Sequence, residues 1–326
     1  MKRHRILSID GGGVKGVFPV SFLAELESSL QIDSVGNYFD LIAGTSVGGI
    51  IALALGLGLS AREITAFLIE HGPDIFPRTR ARSSFRLLCG RDRYKPDRLR
   101  KALEDVFSSK ILADARVRLL IPAFDADQGD IHIYKTAHSE RLGMDYRLTA
   151  VEVAMATAAA PTYFPAYDSN HHVTFLDGGL WGNDPVALAV VEGIGLLGWR
   201  GDEIEVLSVG CTDETVDFRW RWHSGLFWAR RAFDAALRGQ SRSAQGMARH
   251  LTGRDEGLEN IVRVNPSVAA RRFKLHDTNG IKELRGFGYT HARQLLSEVG
   301  NRFFQTKAEP FVSLRSPSVE PCMTPC

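Results

Sequence analysis

The N-terminal part of the chain contains one arrangement twice: a short apolar segment, a glycine-rich turn and a helical pattern. Residues 5–9 predict a buried strand and residues 17–30 a helix, because apolar side chains recur at every fourth position of the latter. Residues 38–43 predict a second strand, and residues 50–57 a second helix after the next glycine turn. Two such units in succession favour an α/β fold with a mostly parallel central sheet.

The alternation of strands and helices continues to residue 209. We predict further helices over 60–70, 97–107, 149–159 and 185–197, and further strands over 116–124, 131–134, 173–176 and 204–209. Ser60 and Glu63 predict a capping box, and Pro73 and Pro77 are expected to end that helix. The acidic turn at 125–130 is interpreted as a solvated hairpin rather than a calcium loop.

The composition limits the classes of function. With 40 Lys and Arg against 38 Asp and Glu, the net charge of +2 argues against a surface that binds nucleic acid through charge alone. The four cysteines have no pairing or zinc-binding rhythm and predict free thiols in a reducing compartment. No apolar segment is long enough for a signal peptide or a membrane span, so we expect a cytoplasmic chain.

A glycine-rich loop lies between the first strand and the first helix, with the sequence Asp10-Gly11-Gly12-Gly13-Val14-Lys15-Gly16. Backbone N–H groups converge in such a loop ahead of a helix N-terminus, which is typical of an anion site. The same spacing satisfies the dinucleotide-binding fingerprint, so a Rossmann cofactor site is an alternative, and a tight turn without a ligand is another. A Rossmann site would need an acidic residue at the end of the second strand, and this chain continues there into Gly44-Thr45-Ser46.

The second glycine turn, Gly44-Thr45-Ser46-Val47-Gly48, has the G-x-S-x-G pattern of a nucleophile elbow. A serine at such a strand-to-helix turn projects its hydroxyl outward in a strained conformation, and side chains at the flanking glycine positions would crowd the turn. We therefore predict that Ser46 is a nucleophile. The alternative is a serine that only initiates the helix.

A serine nucleophile needs a base within hydrogen-bonding reach. Asp177 ends the predicted strand 173–176 and is followed by Gly178 and Gly179, so we expect it at the carboxyl edge of the sheet, near Ser46. An ordinary Asp-Gly turn is the alternative for this segment. Four histidines could complete a Ser–Asp–His order, although none lies beside a strand-end turn: His223, His250, His276 and His291.

Taken in order, the motifs at Asp10–Gly16, Gly44–Gly48 and Asp177–Gly179 resemble the signature of the patatin-like phospholipase family. The resemblance begins at about Arg5 and becomes vague after Gly210. It implies a three-layer α/β/α hydrolase fold that needs no cofactor and no metal ion.

The resemblance also implies a domain organisation. We place the hydrolase domain at residues 1–308, with a basic, aromatic insertion or lid at 215–255 and a flexible tail at 309–326. Asp184, before the helix at 185–197, is interpreted as a helix cap.

By this resemblance, Ser46 is the nucleophile and Asp177 is the base that accepts its proton. The backbone amides of Gly11, Gly12 and Gly13 would form the oxyanion hole, in agreement with the anion-binding loop inferred above. Lys15 would add positive charge near the oxyanion or a lipid phosphate, or would be a surface lysine. The positions that would support the motifs are Asp10, Lys15, Gly16, Gly44, Gly48, Gly178 and Gly179.

The segment 218–254 combines eight arginines with three tryptophans. This composition suits a membrane interface and equally suits nucleotide recognition by arginine and aromatic side chains. The alternative is a pair of amphipathic helices with their arginines in solvent. The residues that would bind activator or lipid phosphates are Arg219, Arg221, Arg230 and Arg231.

A patatin-like domain with an arginine-rich helical region further resembles the phospholipase effectors of cyclic-oligonucleotide anti-phage defence, called CapV or CBASS effectors. This resemblance implies activation by a cyclic dinucleotide and cleavage of phospholipid acyl esters at the inner membrane surface. It also allows for a homo-oligomer. The segments 219–254 and 78–100 would then contact the activator. The alternatives are a constitutive serine esterase without lipid preference and a non-catalytic nucleotide- or membrane-binding module.

Overall fold

A computed structural model describes residues 3–77, 93–215, 225–255, 258–269, 272–273 and 275–316. The strands in these ranges are β1 (His4–Ile9), β2 (Leu41–Gly44), β3 (Arg118–Asp125), β4 (Asp130–Lys135), β5 (Tyr167–Asp168), β6 (Thr174–Asp177), β7 (Ile204–Val209), β8 (Asp213–Glu214), β9 (Arg254–Asp255), β10 (Leu258–Glu259), β11 (Ile261–Val264) and β12 (Ser267–Val268). The α-helices in these ranges are α1 (Val17–Leu30), α2 (Val47–Gly56), α3 (Ala61–Ile75), α4 (Pro96–Phe107), α5 (Ala150–Thr157), α6 (Gly179–Gly182), α7 (Val186–Gly195), α8 (Gly225–Thr252) and α9 (Ile281–Phe303).

Eight strands form one mixed sheet in the order β11-β7-β1-β2-β3-β6-β5, with β4 also paired to β3. The strands from β11 to β3 are parallel, and the pairs that involve β4, β5 and β6 are antiparallel. The carboxyl ends of β1 and β2 lie side by side, since Ile9 pairs with Gly44. The predicted α/β fold is confirmed, and the two glycine turns leave the sheet from neighbouring strands.

Helices cover both faces of this sheet. In β1, Ile6 and Leu7 point to opposite faces, and both are fully buried. The core on the Leu7 face includes residues of α1, α2, α3 and α9, and the core on the Ile6 face includes α7 and the C-terminal half of α8. The predicted three-layer α/β/α architecture is therefore confirmed.

Two predicted boundaries near the second glycine turn are wrong. The second strand starts at Leu41 rather than residue 38, because Val35–Tyr38 form a 3-10 turn that is capped by the Ser34 hydroxyl. Helix α2 begins at Val47 rather than residue 50, so no loop separates it from Ser46. The carboxyl end of β2 and the amino end of α2 therefore meet at Ser46.

Helix α3 begins with the predicted capping box, in which Ser60 Oγ and the Glu63 side chain satisfy each other's backbone N–H groups. The prediction that Pro73 ends this helix is wrong, because α3 continues to Ile75. Pro73 lies in the last turn, where it removes one backbone donor without a following helical segment to disrupt. The acidic segment after Asp125 forms the hairpin turn between β3 and β4, as predicted.

Several elements of the fold were not predicted, and two of them contribute to the core. Strand β11 extends the parallel sheet beyond β7, and α9 packs against α1. A Cβ atom on Gly288 would lie 2.7 Å from the Phe18 carbonyl oxygen, so the middle of α9 approaches α1 closely. The ends of α9 bury larger side chains, such as Leu284 and Phe303.

The region from residue 215 onward differs from the predicted insertion and tail. Ala244 and Ala248 of α8 are buried in the core, so this half of α8 is an integral part of the second helical layer. Residues 309–316 are also fixed, because Phe311 is buried and its N–H donates to the carbonyl of Arg116. Residues 317–326 of the predicted flexible tail lie outside the described residues.

Candidate active site

Ser46 occupies the turn between β2 and α2. Its backbone has φ 56° and ψ −125°, a conformation that residues with a side chain rarely adopt. A Cβ atom on Gly44 would lie 2.1 Å from the carbonyl oxygen of Gly48, and one on Gly48 would lie 2.4 Å from that of Ile9. Ser46 N–H donates to Thr157 Oγ1 at 3.0 Å. The close approach of the backbones therefore explains the glycines on both sides of the strained serine.

The Ser46 side chain has a carboxylate partner. Ser46 Oγ donates a hydrogen bond to Asp177 Oδ2 at 2.7 Å. Asp177 Oδ1 accepts from Gly179 N–H at 2.6 Å, and Asp177 N–H donates to the Ala159 carbonyl at 3.0 Å. A Cβ atom on Gly178 would lie 2.2 Å from the Pro122 carbonyl oxygen. The Asp177 carboxylate is thus held on both sides, with one oxygen facing the serine.

The contact between Ser46 and Asp177 has a different origin from the one predicted. Strand β6 is antiparallel to β3, so its direction does not carry Asp177 to the carboxyl edge of the parallel strands. Asp177 pairs instead with Ala123, three residues beyond Leu120, and Leu120 pairs with Ala43 of β2. Ser46 also lies three residues beyond Ala43. The strand register therefore brings both side chains to the same level of the sheet.

Burial controls the protonation of Asp177, which is 5% exposed. Burial raises the pKa of its carboxyl to about 6, although the hydrogen bonds from Ser46 and Gly179 lower it. Such a carboxyl is mostly ionised at neutral pH and binds a proton more strongly than an ordinary aspartate.

The glycine loop after β1 lies beside Ser46, since a Cβ atom on Gly11 would be 3.3 Å from Ser46 Cβ. Gly11 N–H donates to the Asn183 carbonyl at 3.0 Å, which removes Gly11 from the predicted oxyanion donors. Within the described residues, the N–H groups of Gly12 and Gly13 have no acceptor, as expected ahead of a helical turn. Gly13 has φ 54°, and a Cβ there would lie 2.4 Å from the Leu275 carbonyl oxygen.

The position of the glycine loop depends on Asn183 and on α8. Besides its carbonyl contact with Gly11, Asn183 reaches the Gly11 carbonyl with Nδ2 at 3.4 Å. Asn183 N–H donates to Gln240 Oε1 of α8 at 3.0 Å. Thr45 Oγ1 donates to the Gly182 carbonyl at 2.6 Å. A chain of hydrogen bonds thus connects α8 with both turns, and nothing in the sequence identified Gln240 as a part of it.

A buried ion pair lies behind the glycine loop. Arg263 of β11 donates to Asp10 Oδ1 at 2.8 Å and to Asp10 Oδ2 at 2.5 Å, and lies 3.5 Å from Asp184 Oδ2. Asp184 Oδ1 accepts from Val186 N–H at 3.2 Å, as a helix cap would, and Oδ2 accepts from Gln245 at 2.8 Å. Arg263 was not predicted as part of the site, because the family resemblance becomes vague after Gly210 and strand β11 was not predicted.

The charges of this cluster depend on each other. Burial raises the pKa of Asp10 to about 7, and the Arg263 guanidinium opposes this rise. Burial lowers the pKa of Arg263, but the carboxylates of Asp10 and Asp184 raise it above its usual range. The guanidinium therefore stays charged and keeps its hydrogen bonds to the Asp10 carboxylate.

A large cavity of about 2360 Å³ opens over these groups. It reaches from Ser46, Asp177 and the glycine loop along two walls. One wall is apolar and is lined by Val47, Ile50, Phe67, Leu68, Ile75, Phe76 and Phe164. The other is polar and is lined by residues of α8 and of the segments after β7 and β11, namely Asp213, Glu214, Arg238, Ser241, Arg242 and Asn265.

The other predicted candidates lie apart from the serine. Among the described residues, the Ser46 hydroxyl hydrogen-bonds to the Asp177 carboxylate and to no histidine. His276 lines the cavity beside Arg93, His291 bonds to the Phe287 carbonyl of its own helix, and His250 is exposed on α8. His223 lies outside the described residues.

The predicted phosphate-binding residues give a mixed result. Lys15 lines the cavity and lies 3.8 Å from Glu214, so its charge is shared with that carboxylate. Arg219 and Arg221 lie outside the described residues, as does most of the loop 78–100. Arg230 and Arg231 fall within the α8 backbone, and their side chains also lie outside the described part of the structure.

The residues of this site lie within a match to a known protein family. The family model described as "Patatin-like phospholipase" matches residues 7–190, a range that includes the glycine loop, Ser46 and Asp177. The chain belongs to the patatin-like phospholipase family.

Three relatives of this patatin-like chain are each named "cGAMP-activated phospholipase". The protein of Escherichia coli strain TW11681 is 39% identical over 199 residues, which cover 58% of this chain and 56% of the relative. The protein of Pseudomonas aeruginosa strain BWHPSA011 is 33% identical over 263 residues, covering 77% and 76%. The protein of Vibrio cholerae is 37% identical over 202 residues, covering 58% and 57%. The match thus spans a little over half the length of two relatives and about three quarters of the other.

Within the described ranges, none of the helices combines the length and apolar character that a bilayer crossing requires. The same residues contain no group of three or more His, Cys, Asp or Glu side chains that could hold a metal ion. Cys211 lines the cavity beside Gly12, and burial raises the pKa of its thiol to about 12. That thiol is therefore neutral at physiological pH and is not an activated nucleophile.

Proposed function

We propose that this chain hydrolyses acyl esters of membrane phospholipids, with Ser46 as the nucleophile and Asp177 as the general base. The observation that carries this proposal is the 2.7 Å hydrogen bond from Ser46 Oγ to Asp177 Oδ2 at the floor of a large cavity. A hydroxyl on a strained turn with a carboxylate acceptor matches the requirement for an activated serine.

The reaction proceeds in two halves. Asp177 takes the Ser46 proton while Oγ attacks the ester carbonyl carbon, and the carbonyl electron pair moves onto oxygen. The N–H groups of Gly12 and Gly13 stabilise this oxyanion, whose collapse breaks the bond to the alcohol, and Asp177 returns its proton to that leaving oxygen. A water molecule, deprotonated by Asp177, then attacks the acyl-enzyme, and the fatty acid leaves as Ser46 regains a proton.

The apolar wall of the cavity supports a lipid substrate. Val47 and Ile50 belong to the helix that begins at Ser46, and Phe76 and Phe164 extend the same wall. An acyl chain of a phospholipid would remove this wall from water, a gain of about 25 cal/mol per Å² of apolar surface. A soluble ester with a short acyl group would leave most of the wall exposed to water.

The relatives are named for activation by cGAMP, and this supports our proposal that a cyclic dinucleotide activates the enzyme. A role in antiviral defence is proposed from the resemblance to the effectors of cyclic-oligonucleotide defence. We place the activator near the arginine-rich part of α8. Arg238 and Arg242 of this helix line the polar wall of the cavity, and both lie within 4 Å of Asp213, at 3.0 and 3.6 Å. We further propose that the active protein contacts the cytoplasmic side of the inner membrane peripherally, as a monomer or a homo-oligomer.

Fatty-acid release from vesicles of phosphatidylethanolamine and phosphatidylglycerol tests this function, with and without a panel of cyclic dinucleotides. We expect release by the wild-type protein in the presence of one nucleotide and a loss of at least about a thousandfold in Ser46→Ala. Ser29→Ala, an exposed serine on α1, is the matched control and should retain wild-type activity.

Each departure from this result has a definite meaning. Release by Ser46→Ala at the wild-type rate rejects Ser46 as the nucleophile. Release without any nucleotide keeps the phospholipase and rejects the activation. Hydrolysis of a soluble ester without release from vesicles rejects the lipid substrate in favour of a general serine esterase.

A further inference from the structure

Most of the cations that line the cavity have a carboxylate partner. Among the described residues, these pairs are Lys15–Glu214, Arg238–Asp213, Arg242–Asp213, Arg249–Glu259 and Arg263–Asp10. Arg93 also lines the cavity, and no described carboxylate lies within 4 Å of its guanidinium. Its positive charge is therefore not neutralised by the part of the chain that the structure describes.

The surroundings of Arg93 are aromatic. Its guanidinium carbon lies 5.4 Å from the centroid of the Tyr163 ring, and its NH1 atom lies 3.1 Å from His276 Nε2. Its Nε–H is buried and has no acceptor in the described residues. A guanidinium has five N–H donors, so this one retains donors for an anion that enters the cavity.

The backbones of Arg93 and Asp177 both contact the short segment 159–162. Arg93 N–H donates to the Thr162 carbonyl at 3.3 Å, and Asp177 N–H donates to the Ala159 carbonyl at 3.0 Å. Three Cα–Cα steps lead from Ala159 to Thr162, a distance of at most about 11 Å. The next residue, Tyr94, contacts the apolar wall through Phe76, with ring centroids 5.3 Å apart. Arg93 thus borders the same cavity as the dyad and the wall proposed for the acyl chain.

We propose that Arg93 binds the phosphate of the phospholipid substrate. A guanidinium that no described carboxylate neutralises gains strongly from an anion in a partly buried site, and its planar fork matches two phosphate oxygens. In a glycerophospholipid the phosphate and the acyl ester belong to one glycerol unit, so an anion at Arg93 orients the ester toward Ser46. This inference rests on the proposed phospholipase function and adds the residue that recognises the substrate.

Two substrates with the same acyl group separate phosphate recognition from chemistry. Dihexanoyl-phosphatidylglycerol carries the phosphate, and p-nitrophenyl hexanoate lacks it. Both are assayed with the cyclic dinucleotide that gives the highest wild-type rate. We expect Arg93→Gln to raise KM for the phospholipid by roughly ten- to a hundredfold, the loss typical of a charged hydrogen bond. Its kcat/KM for the phosphate-free ester should stay at the wild-type value.

Three further variants make the result specific. Arg93→Lys keeps the charge without the fork and should give a smaller rise in KM. Arg293→Gln removes an exposed arginine of α9 that pairs with Glu25, and it should match the wild type on both substrates. Thermal unfolding of all variants is measured to confirm that Arg93→Gln is folded. Ser46→Ala tests the proposed function separately, because it should lose hydrolysis of both substrates.

Competition distinguishes the source of the anion. Glycerol 3-phosphate should inhibit the wild type and lose this effect in Arg93→Gln, whereas hexanoate should not. Arg93-dependent inhibition by hexanoate alone would assign the site to the fatty-acid product and overturn the proposal. An unchanged phospholipid KM in Arg93→Gln, or an equal loss on both substrates, would overturn it too. If Ser46→Ala is inactive in the same assays, the proposed dyad stands even when the proposal for Arg93 fails.

Discussion

Two aspartates of this chain occupy the same local sequence and have different surroundings. Asp10 directly follows β1 and Asp177 ends β6; each is followed by at least two glycines and is 5% exposed. Burial raises the pKa of Asp10 to about 7 and that of Asp177 to about 6. Asp10 faces the Arg263 guanidinium, whereas Asp177 faces the Ser46 hydroxyl.

The difference in partner decides what each carboxylate can do. Both oxygens of the Asp10 carboxylate accept hydrogen bonds from the Arg263 guanidinium, so this carboxylate has no free oxygen for a substrate or nucleophile and fixes the chain around it. An aspartate that faces a neutral hydroxyl has no cation to hold its own charge, so it can accept the proton of that hydroxyl. The two sites therefore divide into support of the glycine loop and proposed chemistry at the serine.

The largest effect that tests this division is the loss of the base. Asp177→Asn keeps the shape of the side chain and removes its proton acceptor, so we expect kcat to fall by about a thousandfold. The free energy of unfolding should change little, because no buried charge is left without its partner. Phospholipid hydrolysis and urea unfolding measure the two quantities, and Asp130→Asn in the exposed hairpin turn is the control. Near-normal activity in Asp177→Asn would remove Asp177 as the base.

Loss of the Asp10–Arg263 pair should have the opposite effect, with a change in the free energy of unfolding as its main result. Arg263→Met leaves Asp10 buried without its cation, so we expect the free energy of unfolding to fall by about 3 kcal/mol or more. Adding Asp10→Asn to this variant removes the uncompensated charge and should recover part of the loss. Urea unfolding of the two variants measures the recovery. Equal stability of Arg263→Met and the wild type would contradict the role assigned to the pair.

The pH dependence of activity tests whether the Asp177 carboxylate is the base. Because the base must be ionised, kcat/KM should fall as the pH drops through about 6, the raised pKa of Asp177. Between pH 7 and pH 5 we expect a loss of about tenfold, whereas an aspartate with an ordinary pKa near 3.9 would cause almost none. A soluble ester allows this profile to be measured without changes in a membrane. An acid limb near pH 4 would show that burial does not control the base.

The smallest expected effect concerns the contact between α8 and Asn183. Gln240→Leu removes the acceptor for Asn183 N–H, and we expect kcat to fall about fivefold with KM unchanged, a cost of about 1 kcal/mol. Gln240→Glu keeps an acceptor oxygen and should restore most of the rate. Ser243→Leu changes an exposed position of the same helix and serves as the control. Equal rates for Gln240→Leu and the control would show that the glycine loop does not depend on α8.

The sequence predicted the elements whose signal is local. Strand β1, helix α1 and both glycine turns follow from runs of neighbouring residues, and so does the capping box at Ser60. The pairing of Ser46 with Asp177 was also predicted, because three motifs in order resemble one family. Each of these inferences needs only residues that are close in the chain or a spacing that the family shares.

The boundaries and contacts that were predicted wrongly depend on tertiary packing. Helix α9 was not predicted, and its close approach to α1 at Gly288, where a Cβ atom would lie 2.7 Å from the Phe18 carbonyl oxygen, depends on the partner helix. The amide of Gly11 looked free in the sequence, but Asn183, 172 residues away, accepts its hydrogen bond. A local pattern cannot indicate whether a distant carbonyl will occupy a donor.

The sequence by itself determined where the chemistry can occur. Glycines that allow backbones to approach within contact distance, and a serine between them, specify an elbow and an anion-binding loop wherever the chain folds. Only the tertiary structure decided what holds each aspartate in place, because Asp10 meets Arg263 across 253 residues, and the register of β6 on β3 brings Asp177 to Ser46 across 131. Local sequence sets backbone shape and burial sets proton affinity, but the partner that a buried carboxylate meets depends on strand order and register.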